Sequence, residues 1–145
     1  MKTNLTQEQS LALTFAKSWN HIEKRLDSSL SAIRGISFAE YRLLRTLADL
    51  PNSWASRVDL AQAVGLTPSG VTRALRPMEK LGYVTTAKSK RDARLALASL
   101  TPHGQELVND ASGVVDDMMK TILERARKNP GEVGDMIKLL EDFGP

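Results

Sequence analysis

Cysteine is absent from the 145-residue sequence, which excludes disulfides, thiolate metal sites and thiol-based redox sensing. Its two histidines, His21 and His103, would form a zinc site only with several carboxylates converging on them, so we expect no metal and no cofactor. No apolar run approaches the roughly 18 residues of a membrane span, and the polar start MKTNLTQEQS does not look like a signal peptide. The sequence therefore predicts a cytoplasmic protein with no membrane partner.

Arrangements typical of enzymes are also missing from the sequence. It contains no nucleophile–base pair and no phosphate-cradling glycine loop, and its carboxylates fall singly on the surfaces of expected helices. These observations favour a protein that is not an enzyme.

Positive charge is concentrated in the middle of the chain. The net charge is only +3, but residues 57–94 contain eight Lys or Arg against three acids, so this segment is +5 and the remainder −2. A basic segment on a nearly neutral scaffold is typical of a surface that faces a polyanion. An ordinary solvated basic surface is the alternative that charge alone leaves open.

Capping signals mark two helices in the first third of the chain. Thr6 with Gln9, and Ser37 with Glu40, have the spacing of capping boxes. The first helix is expected to end before Gly35 after roughly 28 residues, which is about 40 Å. Because that length exceeds what one small domain covers, we expect this helix to pack along a second copy of itself. A helix in a monomeric bundle is the alternative.

Two shorter helices, 57–64 and 67–81, are joined by Gly65-Leu66 and predict a helix-turn-helix. In the second of them Val71, Leu75 and Met78 follow an i, i+4, i+7 spacing and should face the core. The opposite face offers hydroxyls, guanidinium groups and bare backbone, which suit base edges and phosphates. The candidate DNA contacts in this region, including residues at the two helix starts, are Ser56, Pro68, Ser69, Gly70, Thr72, Arg73 and Arg76.

After Gly82 the pattern changes to the period of a β-strand. Two short strands joined by the charged stretch SKRDA are predicted, and Lys88, Lys90 and Arg91 are candidate phosphate contacts there. A helix-turn-helix followed by a basic hairpin is a winged helix. Two further helices are expected, one from Thr101-Pro102 to about residue 127 and one from Asn129 onward.

The stretches DLAQAVGLTPSGVTRALRPMEKLGYV and RDARLALASLTPHG resemble the MarR family of bacterial transcription regulators. The core motifs cover roughly residues 56–107, and the helix layout fits over nearly the whole chain. The resemblance implies a single domain over 1–145 that is mainly α with a small β-hairpin wing. Residues 37–100 would form the winged helix-turn-helix lobe, and 5–35 with 102–145 the dimerisation helices. It also implies a homodimer that regulates transcription, in our interpretation as a repressor, on a pseudo-palindromic double-stranded DNA operator in a bacterial or archaeal cytoplasm.

The family's wing carries an Asp-x-Arg step ahead of a Leu-Thr, and Asp92-Ala93-Arg94 with Leu100-Thr101 stand at that spacing. By resemblance, Arg94 would enter the minor groove and Asp92 would orient its guanidinium. A narrow minor groove concentrates negative potential and attracts arginine. Many members have arginine where this chain has Ala93, so which wing residue enters the groove stays open. A turn-stabilising ion pair is the alternative for Asp92 and Arg94.

The resemblance further implies a small effector, often a phenolic or other aromatic acid, between the dimerisation helices and the DNA-reading lobe. The candidate ligand-binding residues are Trp19, His21, Phe38, Tyr41, Arg42 and Arg45. The simpler interpretation is that Trp19 belongs to the core and the two arginines to the surface. A winged-helix module that binds DNA or protein without an effector is the alternative function.

Pro77 lies inside the second helix of the helix-turn-helix, where it cannot donate a hydrogen bond to the carbonyl of Arg73. Because the apolar stripe continues beyond it, we expect a kinked helix rather than an ended one. The proline would divide the helix into a reading half, 68–76, and an anchoring half, 77–81, and we hypothesise that it aims the wing. A tolerated irregularity is the alternative.

Overall fold

Six helices and three short strands follow one another in a computed structural model that describes residues 4–88, 90–92, 96–126 and 130–144. The helices are α1 (Gln7–Arg34), α2 (Phe38–Asp49), α3 (Arg57–Val64), α4 (Pro68–Lys80), α5 (Pro102–Ala126) and α6 (Pro130–Glu141). The strands are β1 (Trp54–Ser56), β2 (Val84–Lys88) and β3 (Ala96–Leu100). The expected class, mainly α with a small antiparallel sheet, is confirmed.

The capping residues fix the helix starts as the sequence predicts. The N–H of Gln9 donates to Thr6 Oγ1 at 3.1 Å, and the Thr6 N–H donates back to Gln9 Oε1 at 3.0 Å. Ser37 and Glu40 form the same reciprocal pair at the start of α2. α1 ends at Gly35, whose φ of 71° lies in the left-handed region that glycine adopts without strain.

One core joins the second half of α1 to the winged helix-turn-helix. Its centre is formed by fully buried leucines of α1 and α2, by the predicted stripe of α4 and by the first turns of α5. The buried members on these helices are Leu30, Leu43, Leu44, Leu47, Val71, Leu75, Met78, Leu107, Val108 and Ala111. This shared core holds α4, the candidate reading helix, rigidly against the long helices.

The first half of α1 and the whole of α6 lie outside this core. Every described residue from 4 to 21 is exposed, and the buried residues of α1 are Leu26 and Leu30. The apolar side chains of α6 are also largely exposed. Within the described ranges, no helix has both the length and the apolar composition that crossing a membrane requires.

The sheet differs from the predicted two-stranded hairpin because a third strand joins it. β1 pairs antiparallel with β3, so the strand order is β1-β3-β2. A three-residue strand is too short to show a periodic pattern, which is why the sequence did not reveal it. Along β3, Ala98 is buried at 0% exposure, whereas Leu97 is only half-buried. A small side chain fits there because β3 is the central strand and its inner face packs directly against the helices.

Candidate nucleic-acid interface

Two side-chain caps build the turn between α3 and α4. Ser56 Oγ accepts the N–H of Asp59 at 3.1 Å at the start of α3, and Thr67 Oγ1 accepts the N–H of Gly70 at 3.0 Å at the start of α4. Between the two helices Gly65 adopts φ 70°, a left-handed conformation that a side chain would strain. These bonds between residues close in sequence define where α3 and α4 begin and how the turn joins them.

The outer face of α4 presents two free guanidinium groups. Arg73 and Arg76 are exposed on the side opposite the buried stripe. Neither has an ion pair or hydrogen bond among the residues that the structure describes. Ser69, in the first turn, is exposed as well. Guanidinium donors, which suit guanine edges and phosphates, are therefore open to a ligand along this face.

Three other candidate contacts use part of their hydrogen-bonding capacity within the protein. Thr72 is half-buried and its Oγ1 donates to the carbonyl oxygen of Pro68 at 3.1 Å, so this hydroxyl is left as an acceptor. The Ser56 hydroxyl is engaged as the cap of α3. At Gly70 an added Cβ would lie 3.2 Å from Thr67 Oγ1. The small size of this residue therefore protects the cap of α4.

The candidate wing residues divide between described and undescribed positions. Lys88, Lys90 and Arg91 are exposed, and Asp92 is half-buried. Arg94 lies outside the described residues, so its approach to the minor groove and its pairing with Asp92 stay predictions.

A polar cluster that the sequence did not reveal joins the wing to the helix-turn-helix. Arg57 Nη2 lies 3.3 Å from Glu79 Oε1 and donates to Thr86 Oγ1 at 3.1 Å, while the Thr86 hydroxyl donates to the same carboxylate oxygen. We call Arg57, Glu79 and Thr86 the wing-root cluster. Arg57 is separated from Glu79 by 22 positions in the sequence and from Thr86 by 29. No local sequence pattern links residues so far apart, so only the tertiary structure could reveal these contacts. From the sequence, Arg57 counted only as one charge of the basic segment. In the structure its positive charge is paired with the carboxylate of Glu79.

The other end of β2 is fixed to α5. Thr101 Oγ1 donates to the Gly82 carbonyl oxygen at 2.6 Å and accepts the N–H of Gly104 at 3.0 Å, capping α5 as the Thr101-Pro102 step predicts. Gly104 approaches so closely that a Cβ there would lie 2.2 Å from the Tyr83 carbonyl oxygen. The Tyr83 ring stacks on His103 with centroids 4.8 Å apart. The wing therefore starts from a tightly packed junction.

Four of the six candidate ligand-binding residues come together between α1, α2 and α5. The ring of Phe38 meets Trp19 edge-on at 5.7 Å and stacks on Tyr41 at 5.9 Å. The Tyr41 hydroxyl lies 2.8 Å from Ser112 Oγ, to which Arg45 Nη1 also donates at 3.3 Å. Trp19 is 38% exposed in this chain, so it is not a core residue.

The other two ligand candidates lie apart from this aromatic group. His21 is exposed and lines a shallow surface depression with Asn20, Glu23, Lys24 and Asp27. Arg42 is exposed, and its backbone carbonyl accepts the hydroxyl of Thr46 at 2.8 Å.

Comparisons with known proteins agree with this geometry. The model of the MarR family matches residues 34–95, which include the helix-turn-helix and β2. The HTH-type transcriptional regulator YdgJ of Bacillus subtilis is 28% identical over 102 residues, covering 70% of this chain. The matched stretch spans 61% of the length of YdgJ.

Solved structures share the fold over nearly the whole chain. Sco3205, a MarR family transcriptional regulator from Streptomyces coelicolor solved in complex with DNA, has a TM-score of 0.84 at 24% identity, covering 99% of this chain and 89% of that one. BpsR from Bordetella bronchiseptica has a TM-score of 0.82 at 16% identity, covering 97% of both chains. YdgJ and Sco3205 are transcriptional regulators rather than enzymes, as the sequence led us to expect. Together with the winged helix-turn-helix, these matches show that this chain is similar to regulators of the MarR family and shares their fold.

Proposed function

We propose that this chain is a sequence-specific, double-stranded DNA-binding transcriptional regulator that acts as a homodimer on a pseudo-palindromic operator. The observation that carries the proposal is the exposed face of α4, where Arg73 and Arg76 lack partners among the described residues. Guanidinium groups on the outer face of a recognition helix can make bidentate contacts with guanine in the major groove. Exposed Lys88 and Lys90 on the wing would add phosphate contacts.

Exposed apolar side chains at both ends of the chain support the homodimer. They are Leu5 at 55%, Leu11 at 54%, Leu13 at 59% and Phe15 at 50% in the N-terminal region, and Met136, Ile137, Leu139, Leu140 and Phe143 at 37–57% in the C-terminal region. Exposed apolar surface on this scale is unfavourable in water and is typical of a subunit interface. A second copy of the chain, with the same surfaces, would cover both regions.

A homodimer would also give the recognition helices their spacing. Two-fold-related copies of α4 read two half-sites about one duplex turn, or roughly 34 Å, apart. A change in the angle between the lobes would therefore alter affinity for the operator. A repressor of this kind would act in the cytoplasm, where its operator is found.

We further propose that an aromatic acid modulates DNA affinity by binding near Trp19, Phe38, Tyr41 and Arg45. Stacked rings next to a guanidinium suit an aromatic carboxylate. The site also contacts α1, α2 and α5, so a ligand there would act on both the lobe and the long helices. DNA binding by BpsR, which shares this fold, is regulated by 6-hydroxynicotinic acid.

Selection of bound duplexes tests the DNA-binding proposal. The protein is incubated with sheared genomic DNA of its source at physiological salt, the bound fragments are sequenced, and affinity for the recovered site is compared with affinity for random duplex. We expect a pseudo-palindromic site bound at least about a thousandfold more tightly than random DNA. Equal affinity for both duplexes would refute sequence-specific regulation.

Two measurements test the finer parts of the proposal. Sedimentation equilibrium should give a dimer, and a monomer at micromolar concentration would contradict the proposed assembly. Titration of the operator complex with 6-hydroxynicotinate and related aromatic acids should release DNA. If none of them changes the affinity, the alternative of a module without an aromatic-acid effector is favoured.

A further inference from the structure

We propose that Thr86 is a positioning residue that, held by Glu79 and Arg57, fixes the wing relative to the recognition helix. This inference rests on the proposed DNA-binding function. The wing-root cluster joins three elements: Glu79 stands in the last turn of α4, Arg57 is the first residue of α3, and Thr86 is the middle residue of β2. A strand of the wing is thereby attached to both helices of the helix-turn-helix.

Burial makes this cluster more than a transient surface ion pair. The Arg57 side chain is only 17% exposed and that of Glu79 is 34% exposed. Arg57 Nη1 is buried and has no hydrogen-bond partner among the described residues. The hydrogen bonds of this guanidinium group to the cluster are therefore made by Nη2, with Glu79 and Thr86. Hydrogen bonds to ionised groups are stronger than neutral ones, and more so where water is largely excluded. Thr86 itself is exposed, and its hydroxyl donates to a carboxylate that the less exposed Arg57 also contacts.

The register of the sheet places this attachment close to the point where the third strand ends. β1 pairs with β3 only as far as Ser56 opposite Leu97, whereas β2 pairs with β3 out to Lys88 opposite Ala96. The sheet is therefore three-stranded up to Ala87, which pairs with Leu97, and has two strands at Lys88, next to the tip of the wing. Side chains on a strand alternate between faces, so Val84, Thr86 and Lys88 share one face.

On that face the three residues have distinct environments. Val84 is buried in the core at 1% exposure, and Lys88 is exposed about 7 Å beyond Thr86, two residues at the rise of a strand. Val84 is anchored in the core, and Lys88 is the first lysine of the wing. Among the described residues of β2 between them, Thr86 makes the last side-chain contact with the helices. Without its hydroxyl, β2 beyond Val84 would be held by pairing with β3, which β1 in turn supports only as far as Leu97.

The consequence for DNA binding is a lower ordering cost. A wing that is already fixed in the free protein presents Lys88 and Lys90 to the phosphates of the DNA backbone. It therefore loses little conformational freedom on binding. A loose wing would lose that freedom when it binds, and the loss would weaken binding. The cluster should therefore increase the contribution of the wing to affinity while leaving the contacts of α4 unchanged.

Thr86→Val tests this inference because it keeps the shape and removes the hydroxyl, and Thr85→Val is its matched control on the opposite face of the same strand. On a duplex selected by the wild-type protein, we expect Thr86→Val to bind about tenfold more weakly, as ordering two lysines implies. Thr85→Val should bind like the wild type, and Thr86→Ser, which restores the hydroxyl, should recover affinity.

A double-mutant comparison separates positioning from simple destabilisation. In the wild-type background, Lys88→Ala with Lys90→Ala should reduce the slope of log affinity against log salt by about 1.8, or roughly 0.9 for each lost phosphate contact. In the Thr86→Val background the same pair should reduce it by less than half as much. Equal reductions in both backgrounds, or equal loss of affinity in Thr85→Val and Thr86→Val, would overturn the inference.

Hydrogen exchange of the free protein tests the attachment of the wing by Thr86 without any DNA present. The amide of Ala87, which faces β3 in this register, should exchange several-fold faster in Thr86→Val than in Thr85→Val, while the amide of Leu75 in α4 should not change. If the wild type selects no duplex, the proposed function fails, but faster exchange in Thr86→Val would still support the attachment of the wing. Identical exchange in the two variants would refute it.

Discussion

Gly104 and Gly113 stand on the same helix, α5, and alanine at the two positions should have opposite effects on the free energy of unfolding. At Gly113 a Cβ would meet nothing within 4 Å. Because alanine favours a helix over glycine by about 1 kcal/mol, Gly113→Ala should stabilise the protein by roughly that amount. Gly113 lies on the same helix as Gly104, but an added Cβ there makes no contact. This variant therefore measures only the difference in helix propensity between alanine and glycine.

At Gly104 the same gain in propensity is opposed by a clash. The new Cβ would lie 2.2 Å from the Tyr83 carbonyl oxygen and 2.6 Å from Leu100 Cδ1. The leucine can rotate, but the carbonyl belongs to the backbone at the start of the wing and would have to move by about 1 Å to restore an ordinary contact. Overpacking of this kind costs about 1–3 kcal/mol. Since the obstacle is backbone we take the upper end, so Gly104→Ala should be net destabilised by about 2 kcal/mol.

The two variants should therefore differ by about 3 kcal/mol in urea denaturation followed by circular dichroism. All measurements are made at one protein concentration, because any association would make stability concentration-dependent. Gly104→Ala should also weaken operator binding, since the displaced carbonyl lies at the start of the wing. An increase in stability in both variants would refute the close approach of α5 to Tyr83.

Four other substitutions test separate parts of the interface. Arg76→Ala should lower operator affinity about 10- to 100-fold with little change on random duplex; an equal loss on both, measured by fluorescence anisotropy, would mean that Arg76 contacts only phosphate. Pro77→Ala should raise the free energy of unfolding by about 2 kcal/mol, because it restores an interior helix bond. It should also alter operator affinity, and unchanged affinity would make the proline a tolerated irregularity. Arg94→Ala should weaken specific binding with the dimer intact in sedimentation; unchanged affinity would show that Arg94 does not contact DNA. Leu11→Asp should shift sedimentation toward the monomer without unfolding the chain, since this side chain is 54% exposed, and an unchanged dimer would exclude it from the interface.

The structure bears directly on the interpretation of Pro77. α4 continues through this residue to Lys80, so the expectation that the helix is not ended there is confirmed. Glu79, which binds Thr86 of the wing, follows in the same last turn. The hypothesis that Pro77 aims the wing stays a prediction, because the contact between α4 and the wing runs through Glu79 rather than through the proline itself.

Local features of the site could be predicted because their causes are local. Thr67 caps α4 by accepting the backbone N–H of Gly70, only three residues ahead. The burial of Val71, Leu75 and Met78 on one face of α4 follows from the helical repeat of 3.6 residues. The position of β1 could not be predicted, because its three residues gain their structure from pairing with β3. The inward-facing position of Ala98 likewise depends on what packs against the central strand.

The sequence by itself determined the helices, the helix-turn-helix and the basic character of its middle, since capping, periodicity and charge are properties of neighbouring residues. The tertiary structure alone decided which charges remain available. Arg57 and Arg76 are both arginines of the basic segment, but Arg57 is half-buried and paired with Glu79, whereas Arg76 is exposed on α4. The physical reason is that burial and ion pairing depend on distances between residues far apart in the chain, and only folding sets those distances.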